Sequence, residues 1–192
     1  LQRLSGIATL TSKFVRAVRG TRCRVLDTRK TTPGLREIEK YAVKCGGGSN
    51  HRMRLDDLIL IKDNHLAAIR HAWRSRARHA RNDREEKNPI AVAIQRARKR
   101  YPRLRVEIEC DRLDQVRRAV AARADIILVD NMSPRATKSA TAIVRGHAKL
   151  EASGGVTLAS VRRIAKTGVD FVSVGALTHS APALDLSLEI KS

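Results

Sequence analysis

Val25-Leu26-Asp27-Thr28-Arg29-Lys30-Thr31-Thr32-Pro33-Gly34-Leu35-Arg36 passes from a short apolar run, through two adjacent fixed cations, into a turn. Cys23, Val25 and Leu26 read as a buried strand, Pro33 and Gly34 halt the backbone, and Leu35, Ile38, Tyr41 and Ala42 then recur at helical spacing. A strand that delivers Arg29 and Lys30 among the hydroxyls of Thr28 and Thr31, just ahead of a turn, is a natural anion-binding element, because guanidinium and ammonium groups form charge-assisted hydrogen bonds to carboxylates and phosphates. An isolated Arg-Lys pair is more often a solvated basic turn. The rest of the chain reverses that preference.

Upstream, Leu1, Leu4, Ile7, Ala8, Thr11, Phe14, Val15 and Val18 fall at helical spacing. The opening at Leu1, without a start methionine, reads as a fragment whose upstream part is missing. Downstream, Gly46-Gly47-Gly48-Ser49-Asn50-His51-Arg52 lets the backbone approach a ligand or take positive φ, and it delivers an imidazole and a guanidinium. The apolar run 58–61 ends in Lys62-Asp63-Asn64-His65, with Asn64 placed to cap a helix through Ala67, Ala68, Ile69 and Ala72. Asn88-Pro89 opens another helix.

Residues 104–110 alternate, with Leu104, Val106, Ile108 and Cys110 on one face and Arg105, Glu107 and Glu109 on the other. In a parallel sheet both faces are covered, so such a carboxylate needs a partner, a ligand or the mouth of the sheet. The run 126–129 ends in Asp130-Asn131, and Ala148-Lys149-Leu150 ends in Glu151-Ala152-Ser153-Gly154-Gly155. The last strand, 169–174 and containing Ser173, ends in Gly175-Ala176. Small-residue turns ahead of a helix expose backbone N–H groups that can cradle a phosphate, although one Gly-Gly is more often only a tight connection. Six apolar runs thus end in polar or glycine-rich turns, interleaved with helices. That is the layout of an α/β protein built as an incomplete, six- or seven-stranded parallel β/α barrel, whose chemistry sits at the carboxyl ends of the strands.

Composition narrows the class. The 192 residues suffice for a well-buried core in one domain or two small ones. No apolar run reaches membrane-spanning length. Cys23, Cys45 and Cys110 are odd in number and lack paired spacing, which points to a reduced, cytoplasmic protein without a disulfide framework or zinc site. The formal charge of +20 favours phosphorylated or carboxylated substrates and adds non-specific nucleic-acid binding. Arg70, Arg74, Arg76, Arg78, Arg81 and Arg84 crowd one polar stretch, read as a solvent-facing basic surface. Arg29, Lys30, His51, Arg52 and Lys62 supply positive charge and Glu109 and Asp130 negative charge, a set suited to transfer of a phosphoribosyl group from which pyrophosphate departs.

Residues 27–36, 46–52 and 61–65, with Glu107-Ile108-Glu109, Leu128-Val129-Asp130-Asn131, Glu151-Ala152-Ser153-Gly154-Gly155 and Val174-Gly175-Ala176-Leu177-Thr178-His179-Ser180, resemble the quinolinate phosphoribosyltransferase family in the same order. The resemblance covers nearly the whole chain, Leu4-Ser5-Gly6-Ile7-Ala8-Thr9 included. It implies a phosphoribosyltransferase type II-like fold over residues 1–192. It also implies conversion of quinolinate and phosphoribosyl pyrophosphate, with Mg²⁺, to nicotinate mononucleotide, pyrophosphate and carbon dioxide in NAD synthesis. By the same resemblance, Arg29, His51, Arg52 and Lys62 bind the quinolinate carboxylates, and Lys30 and Lys62 lie against the pyrophosphate. Glu109 and Asp130 hold ribose hydroxyls, directly or through Mg²⁺, and Ser153, Gly154, Gly155, Gly175 and Ala176 cradle the 5′-phosphate. Thr28 and Ser173 complete the substrate-binding set, and Lys30, Lys62, Glu109 and Asp130 form its catalytic part.

The family also carries an amino-terminal α/β sandwich domain, without a counterpart in residues 1–192, that pairs with the neighbouring subunit and adds an arginine to the pocket; a homodimer or dimer-based oligomer follows. Ala152 stands where the family more usually has a small hydroxyl residue. Two other readings remain: the molybdenum-transport-associated paralogue of the same fold, and a non-catalytic basic remnant that binds nucleic acid.

Overall fold

The computed structural model describes residues 1–77 and 88–190. Helices and strands alternate as α1 (Gln2–Ala17), β1 (Arg24–Leu26), α2 (Arg36–Cys45), β2 (Ile59–Ile61), α3 (Asp63–Ala77), α4 (Pro89–Arg100), β3 (Val106–Cys110), α5 (Leu113–Ala121), β4 (Ile126–Asp130), α6 (Pro134–Val144), β5 (Lys149–Ser153), α7 (Leu158–Ala165), β6 (Phe171–Ser173) and α8 (Ala176–His179). Among the described residues the class is α/β with six parallel strands, the lower of the two numbers expected. Among the described residues no helix is long and apolar enough to cross a membrane. The chain divides into two compact units, Leu1–Met53 with Gly154–Ser192, and Arg54–Ser153.

In the first unit β1 pairs with β6, Val25 opposite Val172 and Leu26 opposite Ser173. Helix α1 packs against α2, α7, α8 and β1. Ile7, Phe14, Val25, Val43, Val161, Val172 and Leu177 are buried, so the helical spacing expected of residues 1–18 marks an inward face except at Leu1, which precedes the helix and is 98% exposed. The end of the unit is stitched to its start: Leu184 N donates to Gln2 O at 3.0 Å, and Gln2 Nε2 donates to Leu186 O at 3.0 Å.

The glycine run serves packing. A Cβ on Gly46 would collide with the Ala8 carbonyl, and one on Gly48 would lie 2.8 Å from both Thr11 Cγ2 and Val43 Cγ1. Close approach of α1, rather than of a ligand, therefore accounts for these two glycines.

Helix α2 corrects a second expectation. Ile38 and Tyr41, expected on its inner face, are 45% and 65% exposed, while Glu39 and Lys40 are 0% exposed. Each buried charge has a specific partner, and that overrides the apolar spacing.

The second unit holds four parallel strands in the order β2-β3-β4-β5, backed by α3, α4, α5 and α6. Two helices open as their sequences dictate: Asn88 accepts from Ile90 N ahead of Pro89, and Ser133 accepts from Ala136 N ahead of Pro134. Helix α3 begins at Asp63, so Asn64 lies in its first turn instead of capping it. Its buried apolar contact is Leu66, while Ala67, Ala68 and Ala72 face out. Arg70 and Arg74 are exposed; the side chains of Arg76, Arg78, Arg81 and Arg84 lie outside the described residues. Strand β5 runs on to Ser153, so Glu151 is a buried strand residue rather than the start of a turn.

Candidate functional site

Register places the chemistry of the second unit. Glu107 pairs with Ile126, Glu109 with Leu128, Leu128 with Glu151 and Asp130 with Ser153. Side chains alternate along a strand, so Glu107, Glu109, Asp130, Glu151 and Ser153 share one face of the sheet. Lys62, one residue past β2, reaches that face from the side, and its Nζ lies 2.7 Å from Glu109 Oε2. Depth then separates the acids: Glu107 and Glu151 are buried, whereas Glu109 retains 19% side-chain exposure. Glu109 and Asp130 line a cavity of about 270 Å³ with Asp63, Asp111, Arg112 and Arg70.

Asp130 ends β4, and Asn131 takes φ 53° directly after it, in the left-handed region that asparagine tolerates better than most residues. Asn131 N donates to Ser153 O at 2.9 Å, and its Nδ2 donates to Asp130 Oδ2 at 2.7 Å. The strand end is thereby fixed and the carboxylate oriented. Asp63, Asp111, Arg112 and Gln115 were not singled out in the sequence. Their one legible sign is position, since each lies within a few residues of the end of β2 or β3.

In the first unit the basic loop leaves β1 through Asp27, which is 0% exposed. Thr28 Oγ1 accepts from Lys30 N at 3.1 Å, and Lys30 O accepts from Thr178 Oγ1 at 2.7 Å. Arg29 Nε is buried and has no hydrogen-bond partner among the described residues. Such a donor is costly unless a ligand accepts from it. Ser173 is the last residue of β6, Gly175 the N-cap of α8, and Ala176 its first residue. A Cβ on Gly175 would lie 3.0 Å from His179 Nε2 and 3.5 Å from Lys30 Cδ, so Lys30 and His179 stand over the bare backbone of Gly175. Gly154 and Gly155 take φ 90° and 56°, a turn that side-chain-bearing residues resist.

His51 and Arg52 follow the glycine run, both half-buried. His51 Nδ1 accepts from Arg52 N at 2.8 Å, which places the proton of a neutral imidazole on Nε2 and leaves that nitrogen a donor. His51 N donates to Asp27 Oδ1 at 2.8 Å, and the same oxygen is ion-paired to Lys40 Nζ. Burial pushes the Asp27 carboxyl above its ordinary value and the Lys40 ammonium below its own, against the pull of their mutual contact. Neither Glu39 nor Lys40 was singled out in the sequence. The available signal was Asp27 itself, a carboxylate directly behind a buried strand that had to find a cation.

Each unit is thus α/β with parallel strands, the first with Arg29 and the bare backbone of Gly175 close behind its strand ends and the second with Glu109 and Asp130 at its own. The chain belongs to the family described as quinolinate phosphoribosyl transferase, C-terminal domain, which residues 7–189 match. It is 42% identical over 190 residues to the nicotinate-nucleotide pyrophosphorylase [carboxylating] of Mycobacterium leprae (strain TN), covering 97% of this chain and 61% of that protein. Among solved structures, the nicotinate-nucleotide pyrophosphorylase of Ehrlichia chaffeensis superposes at a TM-score of 0.87 and 42% identity, covering 100% of this chain and 63% of the other. That of Francisella tularensis superposes at 0.83 and 43% identity, covering 97% and 60%. The chain spans 60%, 59% and 61% of the length of three of the curated relatives it matches.

Proposed function

We propose that this chain carries out phosphoribosyl transfer from phosphoribosyl pyrophosphate to quinolinate, with decarboxylation, as part of NAD synthesis. The observation that carries the reading is the family match over residues 7–189. It is supported by relatives at about 42% identity that bear the name nicotinate-nucleotide pyrophosphorylase [carboxylating], and by the buried, unaccepted Nε of Arg29.

The quinolinate ring nitrogen gives its lone pair to the anomeric carbon while the carbon–oxygen bond to pyrophosphate breaks, and pyrophosphate leaves with that bond's electrons. In the second unit, Glu109 and Asp130 set negative charge where the anomeric carbon becomes cationic and accept hydrogen bonds from ribose hydroxyls. In the first unit, Arg29, Arg52 and His51 Nε2 donate to the quinolinate carboxylates, and Lys30 supplies charge toward pyrophosphate. Lys62 takes part from just past the end of β2, its ammonium already held by Glu109. Backbone N–H groups from Gly154, Gly155, Gly175 and Ala176, with Ser153, take the 5′-phosphate, and Thr28 and Ser173 keep their shared neighbourhood polar. Once ribosylated, the ring nitrogen is cationic. Its charge stabilises the electron pair that the carbon–carboxylate bond leaves on the adjacent ring carbon as carbon dioxide departs, and that carbon uses the same pair to take up a proton.

Asp63, Glu109, Asp111 and Asp130 line one cavity, an all-oxygen donor set that suits Mg²⁺. Glu109 and Asp130 would hold the ion, directly or through water, and the bound ion supplies charge neutralisation at pyrophosphate. A homodimer and a cytoplasmic location belong to the same proposal. Exposed Ile38 and Tyr41 on α2 are apolar surface that a second subunit would cover.

Titration calorimetry tests the reading. Quinolinate and phosphoribosyl pyrophosphate each give a binding heat, and Arg29→Ala weakens quinolinate by about tenfold or more through loss of a charge-assisted contact. Absence of heat with both ligands, with the sandwich domain of a relative also supplied, would defeat it.

A further inference from the structure

We propose that Asp27, Glu39 and Lys40 are positioning residues, a buried charged splint that sets the two cation-bearing loops, 28–32 and 46–52, in register for a dicarboxylate. The proposal rests on the functional reading above for its ligand and on the first unit alone for its geometry.

Adjacent residues of α2 grip the loop 28–32 at its two ends. At the start, Lys40 Nζ is ion-paired with Asp27 Oδ1, both side chains 0% exposed. At the far end, Glu39 Oε2 accepts from Thr32 N at 3.1 Å. Glu39 Oε1 in turn accepts from Arg3 Nε at 2.8 Å, and Arg3 Nη2 donates to Thr32 Oγ1 at 2.6 Å.

The Asp27 carboxylate also organises the second loop. Its Oδ1 accepts from His51 N at 2.8 Å. With the Asn50 amide nitrogen turned inward, Asn50 donates to Asp27 Oδ2 at 2.8 Å and to Lys40 O at 2.9 Å. Asp27 N donates to Ser49 O at 3.1 Å, and Ser49 N donates to Val25 O at 2.9 Å. One carboxylate thus fixes where Arg29 and Lys30 leave β1 and where His51 and Arg52 begin.

A buried ion pair is poor value as stabilisation alone, because desolvation of both charges offsets their attraction and well-packed apolar residues do as well. Positioning is a sufficient reason to have one here. The loops carry only cations, which repel each other, and a rigid anchor behind them keeps both directed at a single dianion.

The test is the double variant Asp27→Leu/Lys40→Met, which removes both charges together and leaves no unpaired buried ion. It keeps a single cooperative unfolding transition. Its His51 amide exchanges with solvent about tenfold faster or more, its quinolinate affinity falls by about tenfold or more, and its ribose 5-phosphate affinity stays within about twofold. Glu39→Gln, which keeps an acceptor for Thr32 N, retains quinolinate affinity within about threefold, whereas Glu39→Leu loses it by about tenfold. A folded double variant with unchanged His51 exchange and unchanged quinolinate affinity overturns the proposal. So does equal weakening of quinolinate and ribose 5-phosphate, which marks a general loss of structure. If the unsubstituted chain binds no quinolinate, the functional reading fails, and the His51 exchange rate still decides whether the splint holds the loops.

Discussion

Cys110 closes β3 one residue beyond Glu109, fully buried, and burial, with lesser repulsion from Asp111, Asp114 and Glu109, pushes its thiol up to about 12. Only a thiolate attacks alkylating or disulfide reagents. At pH 8, therefore, exposed Cys45 is labelled first in the folded protein, while Cys110 and buried Cys23 react only once the chain is unfolded. Mass spectrometry of timed iodoacetamide quenches reads this directly. Equal labelling of Cys110 and Cys45 would contradict the packing of β3. The same strand shows how far single residues were legible. Alternation put Glu107 and Glu109 on one face, and of the two Glu109 is the one lining the cavity. The Lys62–Glu109 contact was not legible, because it joins positions 47 apart in sequence. At 48% and 19% exposure the pair is worth no more than about 1 kcal/mol of stability. What it contributes is charge held at the cavity.

Among the elements, the parallel strands and the Asn88-Pro89 helix start were legible from local chemistry, Asn88 capping its helix by its side chain, whereas the same Ser133-Pro134 signal ahead of α6 went unread. The inner face of helix α2 was not legible. Spacing counts apolar residues, and no count reveals that Glu39 finds Arg3 or that Lys40 finds Asp27. The glycine run was legible as special but not as to why. Its role gives a stability prediction. Gly48→Ala places a methyl group 2.8 Å from two side-chain carbons and should destabilise the first unit by about 1–3 kcal/mol through overpacking against α1 and α2. Thermal unfolding followed by circular dichroism checks it, and an unchanged midpoint would show that α1 sits farther away than described.

For the whole molecule, a net charge of +20 on 192 residues makes weak binding to any polyanion unavoidable at low salt. Binding to a random-sequence DNA duplex should fall by about a thousandfold between roughly 50 and 200 mM salt, as counterion release requires for several phosphate contacts, and Lys30→Ala should leave it almost unchanged. Fluorescence anisotropy across a salt series measures both. Tight, sequence-selective binding, with no heat from quinolinate, would favour the nucleic-acid reading over phosphoribosyl transfer. Quinolinate binding should instead depend steeply on Arg29. The bonds from Leu184 to Gln2 and from Gln2 to Leu186 hold the last stretch of the first unit beside its opening helix. A donor and an acceptor dye placed near those positions would start within efficient energy-transfer range and drift apart as that unit melts, which offers an optical ruler for its cohesion in the absence of any small molecule.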